Sequence, residues 1–223
     1  VARQENLLSL NAVELKEQPT TRKKLSKEDR DKWDARYRAG AYEARSHASQ
    51  LLVEWAPAVR ADDRIRACDF ACGRGRNCNY LAQRGYQVEG YDVSAVALEL
   101  AANSSAEAIR WIQRDLLVDG LPETAQFDLI VVFRFVDLEG LVGLTQRLTP
   151  GGMLIIENHL QWPSSEPDLS GPGSDRFRVA AGALVNATGG MTVLHEFEGL
   201  TEDPDGSKVA LAQLVATKPM QLD

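Results

Sequence analysis

Cys68-Asp69-Phe70-Ala71-Cys72-Gly73-Arg74-Gly75-Arg76-Asn77 is the stretch on which the fold turns. The apolar run through Ile65, Ala67, Cys68 and Phe70 ends in an acid and a glycine turn, and a helical pattern follows. Asp92 stands 17 residues beyond Gly75, at the end of a second apolar run. That order predicts two carboxylates and a tight loop at the carboxyl edge of a parallel sheet. In open α/β folds this edge is where nucleotide-like ligands bind.

Working outward, apolar runs recur at 65–70, 87–91, 108–113, 127–133 and 153–158, with helical patterns between them. Ser94 is placed to cap a helix through Ala102. In 138–148, Leu141, Leu144 and Leu148 form a stripe at helical spacing. Strand and helix alternating in this way predict a parallel sheet covered on both faces. The end of the chain breaks the pattern. A helix is predicted from Asp175 to Thr188, then a strand from Met191 to Phe197. The turn Asp203-Pro204-Asp205-Gly206 and a strand from Val209 to Thr217 follow. So short a link makes the last two strands antiparallel. The expected fold is a Rossmann-like, seven-stranded α/β sheet closed by a C-terminal antiparallel hairpin.

The N-terminal part reads as an arm over 1–25, then helices over 26–60 covering the core at 61–223. The capping-box pattern Ser26-Lys27-Glu28-Asp29 predicts a helix start. That helix runs to Arg38 with Trp33 and Tyr37 on one face. A second runs from about Ser46 to Trp55, before Pro57.

At 223 residues with 44% hydrophobic and 26% charged content, the chain is long enough for one substantial core. No apolar run reaches the roughly 18 to 20 residues of a membrane span. Val1 to Asn6 lacks the features of a signal peptide, so a cytoplasmic location is expected. The net charge of −7 disfavours nucleic acid as a partner. Residues 22–38 are the local exception, with eight Lys/Arg against four acids. Cys68, Cys72 and Cys78 match no zinc-site spacing and have no nearby histidine, so they read as small packing residues and no metal is expected.

The chemistry follows from the turn. Glycines at 73 and 75 let backbone approach a ligand closely, and the next helix aims its free N–H groups at the same place. Cys78 stands where a dinucleotide fingerprint has its third glycine. Asp69 suits an ammonium or sulfonium and is awkward beside a pyrophosphate.

These residues resemble the class I S-adenosylmethionine-dependent methyltransferases. The resemblance rests on Asp69-x-x-x-Gly73-x-Gly75, Gly90-Tyr91-Asp92, Arg114-Asp115, Phe127-Asp128-Leu129-Ile130 and Leu148-Thr149-Pro150-Gly151-Gly152, across about residues 45 to 217. Cys72 to Asn77 with Tyr80-Leu81-Ala82 is similar to the small-molecule branch near the tellurite-resistance and thiopurine methyltransferases. Ala71 departs from the family's usual glycine.

The resemblance implies S-adenosyl-L-methionine as cofactor and a role for each position. Asp69 would lie near the methionine ammonium, with Ala71, Gly73, Gly75 and Asn77 around the amino-acid moiety. Asp92 would accept the ribose hydroxyls, and Val93 would pack on the adenine. Asp115 would accept from the adenine amino group, with Leu116 beside it, and Phe133 would face the methyl group. On the acceptor side the candidates are Arg134, Asp137 and Tyr37 as catalytic residues, with Glu157 and His159 nearby. Arg74, Arg76 and Arg134 together would favour a small anionic acceptor, and the Gln161 to Gly173 link would cover the cleft. The implied activity is methyl transfer to a small molecule, by in-line displacement without a dedicated base. The alternatives are a non-catalytic cofactor-binding protein, an NAD-dependent oxidoreductase, and an RNA or protein methyltransferase.

Overall fold

A computed structural model describes residues 19–59, 64–163 and 169–220. Seven strands form one continuous sheet in the order β3-β2-β1-β4-β5-β8-β7. Strands β1 (Arg66–Phe70), β2 (Gln87–Asp92), β3 (Arg110–Gln113), β4 (Phe127–Phe133) and β5 (Leu148–Leu160) pair in parallel. β7 (Thr192–Glu202) and β8 (Lys208–Thr217) form the antiparallel hairpin, and β8 lies against β5. An eighth, two-residue strand, β6 (Arg178–Val179), pairs with the end of β5. The Rossmann-like sheet and its closing hairpin are therefore as the sequence predicts, with β6 as an addition.

Side-chain alternation in the strands divides the core into two layers. One face packs Ala67, Leu129 and Ile155 against Leu51, Leu52, Leu81 and Leu98 of α2 (Gln50–Trp55), α3 (Arg76–Gln83) and α4 (Ala95–Ser104). The other packs Phe70, Val132 and Ile156 against Leu116, Leu141 and Leu184 of α5 (Leu116–Asp119), α6 (Leu141–Gln146) and α7 (Ala183–Ala187). Ser94 caps α4 as expected, its side chain accepting from Ala97 N.

Two helix expectations are corrected. α1 spans Pro19–Arg38, so it starts before Ser26 and includes part of the expected arm. Proline suits a helix start, where its missing N–H has no intrahelical partner to lose. Residues 1–18 of the arm lie outside the described residues. The helix predicted over Asp175 to Thr188 is three pieces: a 3-10 turn at Asp175–Phe177, then β6, then α7. Pairing of Arg178 with His159 and of Val179 with Leu160 draws the middle into the sheet.

Among the described residues, no helix is long and apolar enough to cross a membrane. No cluster of side chains there is arranged to hold a metal ion.

Candidate cofactor and acceptor site

The carboxyl ends of β1 and β2 converge on the glycine turn. Cys72 N donates to Tyr91 O at 2.9 Å, and Gly75 N closes the turn onto Cys72 O at 2.9 Å. Gly73 and Gly75 have φ of +54° and +75°, a region that side chains disfavour. Space also demands glycine. A β-carbon on Gly73 would lie 2.7 Å from Tyr37 Oη, and one on Gly75 would overlap the Trp111 ring.

Ala71 shares this left-handed backbone, at φ +64°. The alanine that departs from the family's glycine therefore carries backbone strain. Tyr42 and Arg134 are the other non-glycine residues with positive φ among the described residues. Such strain is commonly found at functional sites.

Asp69 is almost fully buried, and Cys78 Sγ donates to its Oδ2 at 3.2 Å. Burial pushes its carboxyl up to about 7, while the Cys78 hydrogen bond and the Arg76 charge pull the other way. Asp92 anchors the turn: Oδ2 accepts from Gly73 N and Oδ1 from Ser94 N, each at 2.8 Å. Its carboxyl is also raised by burial, against the pull of these backbone bonds. A carboxylate has about four acceptor positions, so two backbone bonds leave room for hydroxyl donors. Asp115 caps α5 by accepting from Val118 N through Oδ1, and its buried Oδ2 has no partner. That orphaned oxygen fits the expected adenine amino donor. Val93 is half-buried, its carbonyl accepting from Gln113 Nε2. Leu116 is buried below.

α1 crosses this edge and packs against α4 and α5. Asp34 Oδ1 accepts from Ser94 Oγ, Arg176 pairs with Asp29 at 3.2 Å, and Lys32 lies over the Phe177 ring. Trp33, Tyr37 and Tyr42 form an aromatic cluster with centroids 6.0 to 6.5 Å apart. Burial raises the Tyr37 phenol further above its ordinary value, so it stays neutral. Lys32, Arg36 and Arg38 of the basic stretch engage Phe177, Trp33 and Asp34 of their own chain.

On the far side of the turn a cavity of about 180 Å³ opens above β4, β5 and β8. Its walls come from the 44–54 segment, Arg76, Arg134, Glu157 and the β7–β8 turn. Arg134 is fully committed. It donates to Glu157 Oε1 at 3.1 Å through Nε and to Asp203 Oδ1 at 2.7 Å through Nη2. Glu157 also accepts from Gln213 at 2.7 Å. His159 lies 3.0 Å from Arg134 Nη1. Burial and the Arg134 charge hold the imidazole down to about 3, which makes it a poor base at neutral pH.

The three expected catalytic residues are not assembled. Tyr37 meets Gly73, and Arg134 meets Glu157 and Asp203. Asp137 instead caps Gly140 N at 3.1 Å and lines a separate cavity between α5 and α6. Asn77 is buried and accepts from Ser49 N at 3.0 Å, joining α3 to α2. Phe133 is buried in the α2–α3 layer. Residues 164–168 of the expected cleft cover lie outside the described residues. Asp34, Arg45, Asp203 and Gln213 went unforeseen. Their partners lie far along the chain, and no local pattern marks them.

Residues 67–152 match the sequence profile described as "Methyltransferase domain". Over that stretch the chain is similar to a methyltransferase domain. TehB from Haemophilus influenzae is similar in structure at 20% identity and a TM-score of 0.58, the match covering 75% of this chain and 65% of TehB. The TehB-like S-adenosylmethionine-dependent methyltransferase from Corynebacterium glutamicum matches at 24% identity and a TM-score of 0.52, over 88% of this chain and 99% of its own. An S-adenosylmethionine-dependent methyltransferase from Mesorhizobium loti matches at 21% identity and a TM-score of 0.55, over 72% and 94%. At these identities the structural matches speak to the fold. No curated protein sequence matches significantly.

Proposed function

We propose that this methyltransferase transfers the methyl group of S-adenosylmethionine to a small-molecule acceptor carrying a thiol, an oxyanion or a carboxylate. The observation that carries the proposal is the cavity of about 180 Å³ beside the glycine turn, which has the size of a small molecule. Bound at the turn, the cofactor supplies a sulfonium-activated methyl group.

Within this reading, Asp69 receives the ammonium, Asp92 the ribose hydroxyls and Asp115 Oδ2 the adenine amino group. The backbone at Ala71, Gly73 and Gly75 surrounds the amino-acid moiety, and α1 with Tyr37 excludes water. Residues 26–60 act as the cover and 61–223 as the catalytic core. Glu157 is tied to Arg134 and Gln213, and His159 is held neutral against Arg134. Neither is a free base, which supports catalysis by holding the acceptor in line. Arg134 acts in this scheme as a positioning residue, whereas Asp137 faces a separate cavity and has no part in it.

The test is calorimetric titration of S-adenosylhomocysteine, with NAD as the control. Transfer of labelled methyl to thiols, small carboxylates and oxyanions then follows. Micromolar binding of S-adenosylhomocysteine alone is expected. Binding of NAD instead, or of neither, would overturn the reading.

A further inference from the structure

Three arginines reach the cavity beside the glycine turn, and two of them are neutralised there. Arg134 sits between Glu157 and Asp203, and Arg45 lies 3.6 Å from Asp203 and 3.9 Å from Asp205. Arg76 differs. Its Nη1 donates to His47 O at 2.8 Å, and no carboxylate among the described residues lies within ion-pair distance of it. One of its five N–H donors is thus engaged by the protein.

Arg76 is a half-buried residue at the start of α3, directly after Gly75. Removing a cation from water without a partner is costly, and an anion held in the cavity would offset that cost. Burial and the neighbouring Arg134 charge lower the Arg76 pKa, against the upward pull of the more distant Glu157 and Asp69 charges. Of the carboxylates that line the cavity with Arg76, Glu157 faces Arg134 and Gln213, Asp203 and Asp205 face Arg45, Glu54 accepts from Gln50 Nε2, and Glu202 completes the wall.

We propose that the cavity binds a carboxylate group of the methyl acceptor, with Arg76 as its counter-ion. This deepens the methyl-transfer reading and rests on it. Arg76 stands on the β4, β5 and β8 side of the turn, whereas Asp92 and Asp115 stand at the ends of β2 and β3. A carboxylate at Arg76 therefore leaves the rest of a small acceptor lying between the cavity and the turn. The other carboxylate that reaches this region belongs to the cofactor's amino-acid moiety, and the experiment separates the two.

The probe is carbon-13-labelled acetate, followed by NMR line broadening with the full chain, both ligand-free and saturated with S-adenosylhomocysteine. Broadening is expected with the wild type and with Arg76→Lys. Arg76→Met should weaken acetate about tenfold or more, the loss of a charge-assisted hydrogen bond. Melting curves of both variants report whether they fold. Equal broadening with wild type and a folded Arg76→Met, or no broadening with wild type, overturns the proposal.

The second arm compares S-adenosylhomocysteine with S-adenosyl-3-thiopropylamine, which keeps the amine and lacks the carboxylate. Arg76→Met should change both affinities by the same factor. A loss confined to S-adenosylhomocysteine assigns Arg76 to the cofactor and overturns the acceptor assignment. Acetate binding by a wild type that does not bind S-adenosylhomocysteine removes the methyl-transfer reading itself, and the acceptor assignment with it.

Discussion

Asp69→Asn is the substitution that most directly tests the chemistry of the glycine turn. The side chain is 1% exposed, and burial moves its carboxyl from 3.8 to about 7. Its folded-state pKa therefore lies above the unfolded value, so ionisation works against the folded state. The penalty is absent below pH 3.8, grows as pH rises, and is complete above about 7. At about 1.36 kcal/mol per pH unit, the full penalty is about 4 kcal/mol, and at pH 5 it is about 2 kcal/mol. Asparagine is nearly isosteric and keeps an acceptor for the Cys78 thiol, but it never ionises. The ligand-free variant should thus be more stable than wild type at pH 8, by a margin that shrinks at pH 5. Urea melts at both pH values should show the gap narrowing by about 2 to 3 kcal/mol, or about 4 to 12 °C in Tm for a chain of this size. Affinity should move the opposite way. If Asp69 meets the ammonium, the variant binds S-adenosylhomocysteine about tenfold to a hundredfold more weakly at pH 8. A stability gap independent of pH, or a wild type more stable than the variant at pH 8, would refute the argument from burial.

Ala71→Gly relieves a left-handed residue and should raise stability by about 1 kcal/mol, read as a higher urea midpoint. Gly75→Ala should cost about 2 kcal/mol or more through strained φ and overlap with Trp111, and adding Trp111→Val should recover the overlap part in a double-mutant cycle. Arg134→Met leaves Glu157 and Asp203 without their shared cation and should destabilise by about 3 to 5 kcal/mol in denaturant melts. Asp92→Ala should weaken S-adenosylhomocysteine by about tenfold to a hundredfold in calorimetry. Because Asp92 also holds Gly73 N and Ser94 N, the same variant should melt lower.

The two halves of the site differ in how they are built, and that difference decides how much of each was legible in the sequence. The cofactor half is nearly contiguous. Asp69, the glycines and Asp92 sit at the ends of β1 and β2, whose burial on both faces makes them apolar runs that end visibly. Even there, the left-handed φ of Ala71 depends on how the turn closes, and residue type alone did not reveal it. The acceptor half brings together the 44–54 segment, the ends of β4 and β5, and the β7–β8 turn. Arg134 reaches Asp203, 69 residues on, so its charge announced a role without announcing the acid that answers it. Asp137 stands three residues after Arg134, beyond the strand where alternation no longer assigns a face, and its carboxylate turns to cap Gly140 N. Residues 175–188 failed for the same reason: Arg178 and Val179 are drawn into pairing with β5, a partner invisible to local propensity. Arg76 is the instructive exception. It belongs to the legible motif by position and to the acceptor cavity by reach, and only the fold shows that no acid among the described residues comes within ion-pair distance of it.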